Sequence, residues 1–241
     1  MSNDTQTGPL KLYELVLENG RSASPFVWRI RFALAHKGLA CELVPLGFTE
    51  IPKMCGGRFK TVPILEHGAT AMAESWDIAD YLDRTFPDRP KIFSGPAEQA
   101  MTRLFDTWLL MTIVRPFLLP LYLLDIYNAA RPEDRPYFRQ SREARLGKSL
   151  EAITADRAAL LPAARESLAP LRFHLATHAF LGGSAPNYAD YAALGIFQWA
   201  GSFATLPLLA ADDTVLRGWI DRGFDLYGGL GRDARMKPLF A

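Results

Sequence analysis

The stretch SPFVWRIRFALAHKG, from Ser24 to Gly38, reads as a helix with both ends marked. Ser24 suits the N-cap and Pro25 the first helical position, where a missing N–H costs nothing. Phe26, Ile30, Ala33 and Leu34 recur at helical spacing, and Gly38 closes the run as a C-terminal cap. Upstream, KLYELVL at 11–17 has the composition of a buried strand, with a loop at 20–24 joining the two. Downstream, Cys41 to Leu46 is a short apolar run that predicts a second strand. The unit is strand, helix, strand.

Working outward, residues 47–60 are irregular and contain Gly56-Gly57. Residues 62–65 predict a short strand with Pro63 at its start. His67-Gly68 makes a turn, and 69–72 return as a hairpin partner. A helix over 75–86 carries Ile78, Tyr81 and Leu82 on one face, and Pro87 and Pro90 end it. From Pro96 onward only helical periodicity is found. The expected fold is an α/β domain over residues 1–90 and an all-helical domain over 97–241, joined by a Pro-, Asp- and Gly-rich linker at 87–96. The first ten residues are polar and are expected to fray.

Composition narrows the function classes. The chain has 241 residues, 27 Lys plus Arg against 26 Asp plus Glu, and a net charge of +1, which argues against a nucleic-acid binder. Hydrophobic residues at 49% and charged residues at 22% fit a folded globular chain. Cys41 and Cys55 form neither a disulfide framework nor a C-x-x-C pair, so thiols in a reducing cytoplasm are expected. The N-terminus lacks the pattern of a signal peptide. The apolar run at 108–124 is interrupted by Arg115, Pro116 and Pro120, so no membrane span is expected. His36, His67, His174 and His178 show no metal-ligand spacing with a cysteine, so no metal is expected. The arginines between 131 and 145, interspersed with Glu133, Asp134 and Glu143, read as a solvated helix face or dimer edge.

Three short elements carry chemistry. Ser24 lies where free backbone N–H groups and the helix dipole favour an anion, and it also simply caps the helix. Val62-Pro63 is ordinary if trans; if cis, it exposes the Val62 peptide edge to a peptide-like ligand. Glu74-Ser75 at a helix start offers an acceptor for an ammonium and donors for a carboxylate, or is a capping pattern alone.

Taken in order, Ser24-Pro25-Phe26-Val27-Trp28-Arg29, Val62-Pro63, a hairpin and Glu74-Ser75 resemble the thioredoxin-like domain of the cytosolic glutathione transferases. The helical remainder is similar to their C-terminal helical bundle, including Asn187 and Asp190 where that family has a capping box. More narrowly, these motifs with Gly56-Gly57-Arg58, Trp76 and Asp221-Arg222-Gly223-Phe224-Asp225 are similar to the serine-type β-etherases, which cleave lignin-derived aryl ethers.

The resemblance implies roles. Ser24 would donate to the glutathione sulfur. Val62 would pair through its backbone with the cysteinyl unit, with Pro63 cis. Glu74 and Ser75 would hold the γ-glutamyl end, and Arg58 or Lys60 the glycyl carboxylate. An aromatic electrophile would lie between the domains against Phe26, Trp108, Met111, Phe117 and Tyr122, although each of these is equally at home in a core. Pro116 and Pro120 are expected to bend the helix that carries them. Glutathione is implied as co-substrate, with no metal, and the chain as a homodimer. Tyr13 lies inside the first strand, which counts against it as the sulfur ligand.

Overall fold

A computed structural model describes residues 8–241. Most of the stretch expected to fray, residues 1–7, lies outside the described residues; Leu10 is already part of the sheet.

The order of elements is β1 (Leu10–Leu15), α1 (Pro25–His36), β2 (Cys41–Leu46), β3 (Ile64–His67), β4 (Thr70–Ala73) and α2 (Ser75–Thr85). The sheet runs β2-β1-β3-β4. β1 pairs in parallel with β2, Leu12 opposite Leu43, because α1 returns the chain to the same edge. β3 pairs antiparallel with β1 and with β4, Ile64 opposite Ala73. Between β2 and β3 the chain is not wholly irregular. Ile51–Gly57 forms 3-10 turns broken at Met54, Cys55 and Gly56, where the last two take positive φ.

α1 is buried on nearly every side: Val27, Trp28, Arg29, Ile30, Phe32, Ala33 and Leu34 are all covered. One face meets the sheet and another meets α9 (Tyr188–Ala200), whose residues are all buried. A helix covered on most sides belongs to the core, and its one buried cation, Arg29, is paired with Asp106 at 2.8 Å. Full burial of side chains such as Ile30 and Phe32 contributes about 1.5–3 kcal/mol each.

The rest is helical: α3 (Pro96–Leu109), α4 (Leu119–Ala129), α5 (Arg135–Leu146), α6 (Leu150–Thr154), α7 (Arg157–Glu166), α8 (Ala169–Leu175), α9 and α10 (Thr214–Gly229). The architecture is a thioredoxin-like α/β half followed by an all-helical half. α9 opens on a capping box: the Asn187 side chain accepts from Ala189 N, and Asp190 accepts from Asn187 N at 3.1 Å. Asp190 also takes Leu181 N, Gly182 N and the Trp219 indole, so four donors converge on one buried carboxylate.

Pro116 and Pro120 fall inside a helix that runs without a break over the 34 residues Pro96–Ala129. Leu110–Leu118 winds as π-helix, and these wide turns accommodate Pro116, which has no N–H and would crowd an α-helical carbonyl. By length and composition this helix could cross a membrane, with a mean hydropathy of 1.7 over its most apolar stretch. Half of that stretch is nevertheless buried inside the molecule, against α6, α7 and α9 among others, as in a core helix.

Candidate active site

Ser24 is delivered by a tight return of the chain after β1. Leu17 N bonds Arg21 O and Ala23 N bonds Leu15 O, so Ser24 emerges beside the end of β1. Its Oγ accepts from Val27 N at 3.2 Å, which caps α1. Gly195 of α9 holds this corner from the other side. A Cβ there would lie 2.5 Å from the Pro25 carbonyl oxygen, so only glycine permits the approach.

Val62-Pro63 is a cis peptide immediately before β3. Glu74, between β4 and α2, has φ 72 and ψ 112. A non-glycine residue in that region stores on the order of 1–3 kcal/mol, which surrounding structure must hold. Part of that hold is the Tyr188 hydroxyl, which donates to the Ser75 carbonyl at 3.0 Å.

These elements meet at one cleft of about 310 Å³ between the sheet half and the helical half. Ser24, Lys60, Val62, Pro63, Glu74 and Ser75 line it, as does Phe26. Arg58 does not: its Nε donates to the Cys55 carbonyl and its guanidinium lies over Phe59. Tyr13 is turned away, its hydroxyl donating to Glu66 at 2.8 Å, and burial followed by that carboxylate pushes its pKa up to about 12.

The far wall departs from expectation. Trp108, Met111, Phe117 and Tyr122 do not line the cleft. The π turns change the helical register, so α4 presents Leu119, Leu123 and Ile126 instead. Trp108 packs on Phe105 in a separate groove, and Met111 is 52% exposed. Phe117 packs partly buried against the core. Tyr122 is fully buried, donates to Leu206 O at 2.9 Å and meets Trp199 and Phe203 edge-on.

Sequence reasoning also missed α5. Tyr137, Phe138, Arg142 and Arg145 line the cleft, with Phe48 from the loop after β2. The arginine-rich run was read as solvated surface, and Arg131, Arg135 and Arg139 do pair with Glu50, Glu18 and Glu143 or Glu151. The available signal was spacing: Phe138, Arg142 and Arg145 fall at i, i+4 and i+7, so one face is shared with an aromatic. Among the described residues no group of three His, Cys, Asp or Glu side chains could hold a metal.

Chemically, the cleft combines a hydroxyl with a free proton at a helix N-terminus, a peptide edge, a carboxylate beside a second helix N-terminus, and an apolar wall. Two family models match this chain in succession: the glutathione S-transferase N-terminal domain over residues 20–90 and the C-terminal domain over 100–206. The chain belongs to the glutathione S-transferase superfamily. A glutathione S-transferase of Phanerochaete chrysosporium, GSTFuA3, superposes with a TM-score of 0.77 at 22% identity, covering 90% of this chain and 96% of that one. The glutathione S-transferase CsGST63524 of Ceriporiopsis subvermispora, solved in complex with glutathione, gives 0.76 at 22% identity over 91% and 96%. At that identity the likeness is one of fold. Glutathione S-transferase U7 of Arabidopsis thaliana is 32% identical over 90 residues, 36% of this chain and 40% of that protein. The chain spans about two fifths of the length of the first such curated transferases it matches.

Proposed function

We propose that this glutathione S-transferase family member joins the thiolate of glutathione to an electrophilic aromatic compound, using residues 1–90 to hold glutathione and 97–241 to hold the acceptor. The observation that carries the reading is convergence: Ser24, the cis Val62-Pro63 peptide and Glu74-Ser75 line the same cleft as the apolar face of α4. In this reading Glu74 takes the γ-glutamyl ammonium, Ser75 the α-carboxylate, Val62 the cysteinyl backbone and Lys60 the glycyl carboxylate.

A free thiol has a pKa near 8.5, and only the thiolate attacks. The Ser24 hydroxyl is too weak a base to remove the proton, which goes to water. Its O–H stabilises the thiolate once formed, and a charge-assisted hydrogen bond lowers the thiol pKa by about 1–2 units. The helix dipole at Pro25 acts in the same direction. Within this reading we place the β-aryl ethers suggested by the sequence motifs. The thiolate attacks the carbon next to a carbonyl, the carbon–oxygen bond breaks, and aryloxide leaves. The homodimer would cover Met101 and Leu104, which stand exposed on α3, and the cytoplasm would supply glutathione.

The test offers glutathione with three acceptors: a chloronitroaromatic, an α-keto β-aryl ether and its α-alcohol form. Conjugation of the first supports the transferase. Phenol release from the keto form, far faster than from the alcohol, supports the etherase assignment. Phenol from neither ether, with ready aromatic conjugation, leaves a broad-range transferase. Retention on glutathione-agarose without turnover of any acceptor makes the chain a carrier. No retention and no turnover overturn the proposal.

A further inference from the structure

The cleft is unequally charged. Glu74 is the one acid lining it among the described residues, against Lys60, Arg142 and Arg145. Arg142 is the unusual member. Its guanidinium carbon lies 4.5 Å from the Phe138 ring centre and 5.2 Å from that of Phe48, so aromatic rings from both halves hold it. One nitrogen donates to Ser141 Oγ at 2.8 Å. No carboxylate pairs with it among the described residues, whereas Arg131, Arg135 and Arg139 on neighbouring turns all have one.

A half-buried guanidinium without a counter-charge is costly to keep, and burial, with Arg145 adding to it, moves its pKa below the ordinary value. Arginine presents a planar fork that fits a carboxylate with two parallel hydrogen bonds. Contact with two rings, themselves packed edge to face, restricts the side chain before any ligand arrives, so less freedom remains to be lost on binding. Arg145, one turn further along α5, also lines the cleft and adds positive potential.

We infer that Arg142, supported by Arg145, recognises a carboxylate on the acceptor, so that the preferred substrates are aromatic acids rather than neutral aromatics. The inference rests on the transferase reading above. Glutathione also carries a carboxylate at its glycyl end, and the experiment separates the two sources.

The probes are 4-chloro-3,5-dinitrobenzoate and its methyl ester. In both, the glutathione sulfur bonds to the ring carbon, the carbon–chlorine bond breaks, and chloride leaves with the bonding pair. Rates are divided by those of the uncatalysed reaction, so only the protein's preference remains. The wild-type protein favours the acid. In Arg142→Gln that preference falls roughly ten- to a hundredfold, and Arg142→Lys restores part of it. Equal loss on acid and ester overturns the inference. So does a rise in the glutathione KM with the acid preference intact, which would assign Arg142 to the glycyl end. If neither probe turns over, the transferase reading fails, and calorimetry decides the inference separately. Tighter binding of 1-naphthoate than of its methyl ester, lost in Arg142→Gln, upholds it; equal binding overturns it.

Discussion

Ser24 uses one hydroxyl twice. Its oxygen accepts from Val27 N, and its proton remains available for sulfur. Ser24→Ala removes both. The lost cap costs about 0.5–2 kcal/mol, read as a lower melting temperature. The lost donor raises the pKa of bound thiol, so the acid limb of the pH–rate profile moves up by about 1–2 units and kcat falls at neutral pH. The KM for glutathione stays nearly constant, because the ends of the tripeptide are held elsewhere. Glu74→Gln gives the opposite split. It removes the counter-charge of an ammonium far from the reacting sulfur, so KM rises more than kcat falls. Steady-state kinetics of the two variants side by side test the assignment; the same pattern in both would refute it. Ser24, Val62-Pro63 and Glu74-Ser75 each carry only an ambiguous local mark, a cap, an X-Pro bond or a helix start, and it was their order along the chain, through the family resemblance, that singled them out; the structure brings all of them to one cleft. Arg142 was not singled out. Its setting depends on Phe48, which arrives from a distant part of the chain, and a sequence does not announce which arginine in a cluster goes unpaired.

At the level of elements, strands and helices of the first half followed from periodicity and caps, and β2 fell where the sequence put it. The far wall of the cleft differs from the expected one. At Pro116 the helix winds as π turns and stays continuous, and the side chains that α4 then brings to the cleft are Leu119, Leu123 and Ile126. Trp108, Met111, Phe117 and Tyr122 were expected at the cleft for their size and apolar character on this helix, and all four lie outside its lining. The contact between α1 and α9 depends on one residue. A methyl group at Gly195 would meet the Pro25 carbonyl, which is backbone and cannot swing aside. Gly195→Ala should destabilise the protein by about 1–3 kcal/mol and lower kcat, because the start of α1 must shift and Ser24 with it. Unchanged urea midpoint and unchanged turnover would show that the two helices separate freely.

Across the whole molecule, the halves are joined by buried polar groups as well as by the core. Arg29 of α1 pairs with Asp106 of α3 at 2.8 Å. His36, at the end of α1, reaches α9, α10 and the segment between α2 and α3. Its Nε2 meets the Lys91 carbonyl at 3.0 Å, which can only accept, so that nitrogen carries the proton and Nδ1 accepts from Tyr191 at 2.7 Å. Tyr227, at the kink in α10, joins the same group. Burial holds the His36 pKa below 6.5, its ordinary value. The unfolded chain then takes up the proton first. The stability this site contributes is full above about pH 6.5 and is lost as pH falls from there towards the lower folded value. His36→Gln should flatten the change in urea midpoint between about pH 7.5 and pH 5.5 relative to wild type. A variant as pH-sensitive as the parent would exclude His36 as a source.

One such join lies beside two residues that line the cleft, Phe48 and Phe138. Thr49, in the loop after β2, gives both its N–H and its hydroxyl to Asp134 at the foot of α5, at 2.8 and 2.7 Å. Phe48 and Phe138 meet beside it with ring centres 5.0 Å apart. The amide hydrogen of Thr49 can therefore exchange with deuterated solvent only when the two halves part at this point. Its exchange rate is a clock for the opening of the cleft, and a molecule that bridges Phe48 and Arg142 would slow it without touching the hydrogen itself.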